Sequence, residues 1–387
     1  MMNDDINIKF SCLEGCNIHH KIEDNEDNED NEDHEDNEDN EDNEDNEDNE
    51  ENEENIKRSS LEGCTIHHNN EEFFKNKYNE FENLTICLID IVGFSVWCSK
   101  HNAKTVIDSM IQYNNTINQL LTNHPNLYKI ELVGDSCLIV GRMHPTNTST
   151  STNTNTCDAY AMVVFCLSLL ESEIGKTIFN SETITIRVGI HIGDVFGTFM
   201  TNPTKFQLYG NDINTTSRLE SSSIPGVIHV SDRVLFQLNA FPNIPNLEYG
   251  NIVSKILKGV GEIQCAYLNI KHEKYILVAD DLKICQVIVS HLLKKYSVKI
   301  HSVLNTTINR LKSEIYKTVI LDINSEHYNI LDDFQNFRIW ETTHRSSVQH
   351  VIAYTAFKDI PLEYHVLFNN IIYKDNTKDL VCIIDKL

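Results

Sequence analysis

Two short apolar runs in this chain each deliver an aspartate to the edge of a glycine turn. Residues 84–89 (Leu-Thr-Ile-Cys-Leu-Ile) lead into Asp90-Ile91-Val92-Gly93-Phe94-Ser95, and residues 129–133 lead into Gly134-Asp135-Ser136. A run of this length and composition reads as a buried strand, and the glycine after it as a turn. A core built from such strands must carry two carboxylates at fixed points on its rim. Hard divalent cations take oxygen ligands of this kind. Two such cations side by side can activate a hydroxyl and steady a departing phosphate group.

The chain of 387 residues is long enough for about two domains plus extensions. Its net charge of −26 is unevenly spread. About 22 acidic residues, and no Lys or Arg, fall in residues 23–54, so the remainder carries only about −4. The balanced remainder shows no basic face for nucleic acid. No apolar run reaches the roughly 18 residues of a membrane span, and the N-terminus lacks a signal-peptide layout. The eleven cysteines are scattered, with Cys87 and Cys137 inside apolar strands, which suits buried thiols in a reducing compartment. The expectation is a soluble, cytoplasmic protein.

Residues 1–70 form an acidic N-terminus. Ser11-Cys12-Leu13-Glu14-Gly15-Cys16-Asn17-Ile18-His19-His20 recurs, slightly varied, at residues 59–68, with an Asn-Glu-Asp repeat between the copies. The repeat has almost no apolar side chains and repels itself, so disorder is expected. The duplicated Cys-x-x-His-His could bind zinc only if both copies met in space. A ligand-free duplication is the better reading.

From residue 71 the pattern becomes globular. It predicts strands at 84–89, 127–133, 136–140, 226–230, 252–257 and 263–269, and strands broken by glycines over 183–199. Helical spacing covers 104–121 and 158–174, and a helix follows Asn211; residues 144–156 read as a surface loop. This order suits an α+β fold with a mixed sheet and packed helices over residues 71–270. Near residue 271 the pattern changes again. Strands ending at Asp280-Asp281, Asp322 and Thr355 alternate with helices at about 282–295, 304–316 and 328–340. That alternation predicts an α/β doubly wound parallel sheet over residues 272–387, with functional residues at the strands' carboxyl ends.

Residues 80–270 resemble the catalytic domain of the class III nucleotidyl cyclases. The resemblance rests on five motifs in order: Asp90-Ile91-Val92-Gly93-Phe94-Ser95; Gly134-Asp135; Arg187-Val188-Gly189-Ile190-His191-Ile192-Gly193; Leu208-Tyr209-Gly210-Asn211-Asp212-Ile213-Asn214-Thr215-Thr216-Ser217-Arg218; and Lys258-Gly259-Val260-Gly261-Glu262. It implies that Asp90, Asp135 and the Ile91 backbone hold two Mg2+ or Mn2+ ions. The turn at Gly93, Phe94 and Ser95 would bring backbone N–H groups to the triphosphate. Arg218 would stabilise charge on the α-phosphoryl group, Asn214 would orient the ribose, and Lys258 would bind the terminal phosphates.

The resemblance also bears on the base and the assembly. The family's purine-reading positions fall at Glu131 and Gln207. An acceptor-only carboxylate suits guanine's N1–H and amino donors, whereas glutamine departs from both family patterns. GTP is therefore expected, with ATP or a catalytically inactive nucleotide-binding scaffold as alternatives. One protomer would supply the metal aspartates and its partner the base readers, asparagine, arginine and lysine, which implies a head-to-tail homodimer.

Residues 272–387 resemble a two-component receiver domain. The resemblance implies that Asp322 accepts a phosphoryl group from a histidine kinase or phosphotransfer protein. Asp280 and Asp281 would hold Mg2+, Thr355 would be the switch hydroxyl, and Lys374 would contact the phosphate. Asp375 stands where a proline usually follows the lysine, and Ile371 where an aromatic switch residue is usual.

Overall fold

The computed structural model describes residues 78–143, 157–181, 183–200, 205–241, 243–324 and 328–387. The acidic N-terminus with its duplicated Cys/His segments, and the loop expected at 144–156, lie outside the described residues. Among those described, no helix is long and apolar enough to cross a membrane.

The first part is a mixed sheet with packed helices. β1 (Asn79–Val92) lies between β3 (Ser136–Val140) and β4 (Thr185–Met200), antiparallel to both, and β2 (Tyr128–Val133) closes a hairpin with β3. β5 (Lys205–Tyr209) folds back antiparallel on the end of β4, and β6 (Ile228–Ser231) runs parallel to β4. Strand alternation sends β1 side chains to two cores. Cys87, Ile89 and Ile91 pack with Tyr113 and Ile117 of α2 (Ala103–Leu121) and with Met162 and Phe165 of α3 (Asp158–Glu171). Leu84 and Ile86 pack on the other face with Ile130, Val195 and Phe206. The helix α1 (Phe94–Cys98) starts at Gly93, whose φ of 78° needs a residue without a Cβ.

Glycines do not break residues 183–199 as expected. β4 is one strand, because Gly189 and Gly193 serve helix packing instead of turns. α5 (Asn211–Ser221) lies so close that a Cβ at Gly189 would sit 2.3 Å from the Glu220 backbone nitrogen. A Cβ at Gly193 would sit 2.1 Å from the Asp212 carboxylate. That carboxylate accepts from the Asp194 N–H at 2.7 Å and pairs with His191 Nε2 at 3.2 Å.

The change of pattern near residue 271 falls inside a strand. β9 (Gly261–Ala279) runs 19 residues without a linker. Its first half pairs antiparallel with β6, β7 (Leu247–Tyr249) and β8 (Val253–Leu257). Its second half pairs in parallel with β10 (Ser297–His301) and β11 (Glu314–Leu321). β12 (Val351–Thr355) and β13 (Asn370–Tyr373) extend the parallel sheet, giving the order β10-β9-β11-β12-β13. Helices cover both faces. α7 (Lys283–Leu292) and α11 (Thr377–Ile384) pack on one side; α8 (Thr307–Ser313) and α9 (Leu331–His344) pack on the other. The helix expected over 304–316 ends at Ser313, because Glu314, Ile315 and Tyr316 pair with Ile270, Lys271 and His272 of β9.

Polar contacts lock this junction. Glu248 accepts from the backbone N–H groups of Ser346 and Ser347 at 3.2 Å and from the Ser347 hydroxyl at 2.7 Å. Asn269 Nδ2 donates to the Lys312 carbonyl at 2.7 Å, and the Asn251 N–H donates to the His344 carbonyl at 3.0 Å.

The α5–β4 approach leaves no room for a methyl group. Gly189→Ala is expected to cost about 1–3 kcal/mol through overpacking, read as a lower urea midpoint at unchanged slope. A loss below about 0.5 kcal/mol would show that α5 can lift off β4 freely.

Candidate active site

Asp90 and Asp135 meet at one end of the first sheet. Asp90 lies near the end of β1, directly opposite Arg187 in β4. Arg187 Nη2 donates to Asp90 Oδ2 at 2.8 Å, and its Nε lies 3.0 Å from Glu220 Oε1 on α5. Asp135 follows Gly134, which takes the positive φ of 59° at the tip of the β2–β3 hairpin. Its carboxylate accepts the Ile91 N–H.

The cluster holds more negative than positive charge. Burial, followed by the charge of Asp90, pushes the Asp135 carboxyl up to about 6. Burial, followed by Asp90, pushes Glu220 up to about 7 even though Arg187 opposes it. Burial works against the Arg187 charge, but Glu220 and Asp90 outweigh it and raise the guanidinium's pKa. Two neighbouring carboxylates, one of which holds its proton more tightly because of the other's charge, form a hard oxygen site short of positive charge beside an exposed turn. These residues fit divalent cations.

Next to Asp90, no side chain caps the start of α1, so no side chain takes the first N–H groups at Phe94 and Ser95. Phe94 itself packs against Phe179. Asn214 and Arg218 stand one turn apart on the exposed face of α5. Lys258 is exposed in the β8–β9 turn. Among the described residues the side chains of Asn214, Arg218 and Lys258 have no polar partner. Glu131 on β2 is bound by Lys205 Nζ at 2.5 Å. Gln207 lies two residues beyond Lys205 on the same face of β5, and the Tyr209 hydroxyl donates to its Oε1 at 2.5 Å.

Residues 76–270 match the adenylate and guanylate cyclase catalytic domain. The chain belongs to this family of cyclase domains. A germination-specific adenylate cyclase of Dictyostelium discoideum is 32% identical over 154 residues, covering 39% of this chain and 17% of that protein. A receptor-type guanylate cyclase of Caenorhabditis elegans is 30% identical over 191 residues, covering 49% of this chain and 18% of that protein. The chain therefore spans less than a fifth of either relative. The solved guanylate cyclase domain of RhGC from Catenaria anguillulae, in complex with GTP, is 24% identical. It aligns over 49% of this chain and 98% of its own, with a TM-score of 0.42.

Four residues that contact these side chains carry no signal of their own in the sequence. Arg187 falls within a run that reads as a core strand. Glu220 sits in a helix whose buried face is invisible without its partner strand. Lys205 and Tyr209 flank Gln207 in an unremarkable alternation, and only the pairing of β4 with β5 shows that they share its face.

A second acidic cluster lies at the carboxyl ends of β9 and β11. One carboxylate oxygen from each of Asp280, Asp281 and Asp322 lies within 4.8 Å of the others. Lys374 Nζ reaches Asp280 Oδ2 at 2.8 Å and Asp322 Oδ2 at 2.6 Å. Burial opposes the Lys374 charge, but the two aspartates raise its pKa. Burial also pushes Asp280 up despite Lys374. Asp322 Oδ1 is buried without a hydrogen-bond partner. An orphaned buried carboxylate oxygen among three acids fits a divalent cation. Thr355 is fully buried at the end of β12, and its Oγ1 accepts the Phe357 N–H at 3.1 Å. Ile371 lies on β13, and Asp375 pairs with Lys358 at 2.6 Å.

Asp135 has a testable linkage. Its folded pKa of about 6 exceeds its ordinary value of 3.8, so the folded chain holds this proton more tightly than the unfolded chain. Its contribution to stability must therefore fall as pH rises from about 4 to about 6 in metal-free protein. Asp135→Asn is expected to raise metal-free stability at pH 7.5 by about 1 kcal/mol or more, and to reduce the rise in Tm on adding manganese to the part that the Asp280, Asp281 and Asp322 cluster supplies. An undiminished manganese effect in the variant would remove Asp135 from the cation site.

Proposed function

We propose that this chain is a guanylate cyclase that converts GTP to cyclic GMP and pyrophosphate at two sites shared across a homodimer. The observation that carries the reading is the two-sidedness of α5. Glu220 points inward to Arg187 and the Asp90 cluster, while Arg218 is about 200° away around the helix and faces solvent. Arg218 thus points away from its own chain's aspartates. A partner placed head to tail brings it to the partner's aspartates.

In that site two divalent cations, bound by Asp90, Asp135 and the Ile91 carbonyl, would supply acidification of the ribose 3′ hydroxyl and neutralisation of the phosphates. The chain's own groups do the rest. N–H groups at Phe94 and Ser95 meet the triphosphate, and Lys258 meets its terminal oxygens. Asn214 orients the ribose. Arg218 stabilises charge growing on the α-phosphoryl oxygens and the pyrophosphate. Glu131 accepts from guanine N1–H and its amino group. Tyr209 donates to Gln207 Oε1, so the Gln207 NH2 is left as a donor that suits guanine O6.

The C-terminal sheet supports a receiver-type regulator. Its strand order matches the flavodoxin-like doubly wound arrangement. Its three acids, lysine and buried threonine are the side-chain types that a magnesium-dependent phosphoacceptor site uses, with Asp322 as nucleophile. A histidine kinase or phosphotransfer protein is the corresponding partner.

Purified chain with manganese should form cyclic GMP in excess over cyclic AMP when GTP and ATP are offered in parallel. Excess cyclic AMP would reverse the base assignment, and no product from verified dimers would favour a nucleotide-binding scaffold. Asp90→Ala and Arg218→Ala chains, each inactive, should recover about a quarter of wild-type activity when mixed, since half the dimers then hold one intact site. Acetyl phosphate with magnesium should add one phosphoryl group to the wild-type chain and none to Asp322→Asn; labelling that survives this change would exclude Asp322 as the acceptor.

A further inference from the structure

The end of α5 that follows Arg218 is held by side chains from three strands. Lys255 of β8 donates to the Ser222 carbonyl at 3.0 Å, and the Tyr267 hydroxyl of β9 lies 3.4 Å from the same oxygen. Lys255 Nζ and the Tyr267 hydroxyl are 3.1 Å apart. His229 of β6, stacked on the Tyr267 ring at 4.5 Å, donates from Nδ1 to the Leu219 carbonyl at 2.8 Å. Burial keeps His229 neutral by lowering its pKa to about 3, so one ring nitrogen bears the proton that this bond needs. The last carbonyls of a helix lack intrahelical donors and carry its negative dipole end, so a cation and two N–H or O–H donors are suited to hold them.

The other side of Tyr267 faces the C-terminal sheet. Its ring lies 5.6 Å from His344 and 6.3 Å from Trp340, at the end of α9. His344 and Trp340 are themselves stacked at 5.0 Å. The backbone closes the same contact. The Gly250 N–H donates to the Tyr267 carbonyl at 2.9 Å, and a Cβ on Gly250 would lie 2.5 Å from the His344 carbonyl.

We propose that Lys255, Tyr267 and His229 clamp the C-terminal end of α5 and so position Arg218, and that the end of α9 bears on this clamp through the Tyr267 ring. None of the three touches substrate; they are positioning residues. The proposal rests on the shared-site reading above, because only there does the angle of Arg218 decide catalysis in the partner's half.

The mixed dimer gives the test. In a dimer of Asp90→Ala and Arg218→Ala chains, the working site takes its arginine from the Asp90→Ala chain. Tyr267→Phe, which keeps the ring and removes the hydroxyl, is added to one chain or the other. On the Asp90→Ala chain it should lower kcat about three- to tenfold with KM for GTP unchanged, the loss of one hydrogen bond acting through a transition-state group. On the Arg218→Ala chain, whose α5 offers no arginine and serves the working site only through the buried Glu220, it should change kcat less than about twofold. Trp340→Leu should show the same asymmetry at smaller size. Equal losses in both placements would overturn the clamp, since a general structural defect does not distinguish them. A symmetric or absent effect of Trp340→Leu would overturn the link to α9. No recovery in the parent mixture would overturn the shared-site reading itself, and with it the role given to the clamp.

Discussion

The close approach of α5 to β4 governs this molecule. Without side chains at Gly189 and Gly193, the helix backbone settles against the strand, and its inward face can deliver Glu220 and Asp212 to partners on the sheet. The pairing of Glu220 with Arg187 then bears on Asp90, because Arg187 is shared between the two acids. A helix that is part of the core thereby controls the electrostatics of the sheet's rim. Its opposite face, with Asn214 and Arg218, stays exposed.

The charge imbalance at that rim has a physical logic. Three carboxylates around one guanidinium are costly in a half-buried place, and the raised pKa values of Asp135 and Glu220 express that cost. The C-terminal cluster solves a similar problem differently. There a lysine bridges two of three acids and one carboxylate oxygen is left unmatched. Both sites are arranged so that added positive charge is favourable. They differ in how much resident charge must give way to it.

Much of this was legible in residue order because local chemistry fixed it. Asp90 and Asp135 stand at strand ends marked by glycine turns, and Asn214 and Arg218 share a face by helical spacing. Contacts set by distant segments were not legible. Arg187 and Asp90 are 97 positions apart and meet only through strand register. The glycines of residues 189–193 looked like strand breakers because nothing local announces a helix lying on them. Lys271-His272-Glu273-Lys274 is polar enough to read as a boundary. It stays extended because Lys271 and His272 find backbone partners in Ile315 and Tyr316.

β9 has a consequence for how the two sheets share their fate. Domains joined by a linker can melt separately and swing about a hinge. Here a single strand is hydrogen-bonded into both sheets, with only a local register shift between His272 and Ile276 where it passes from one to the other. Heat or denaturant acting on either sheet must break the ladder of the other, so the described residues should unfold as one cooperative unit. Amide protection should reach the same level in the two paired halves of β9, on either side of the register shift between His272 and Ile276. Any message crossing this boundary has to travel as a twist or a repacking of a strand that both sheets share.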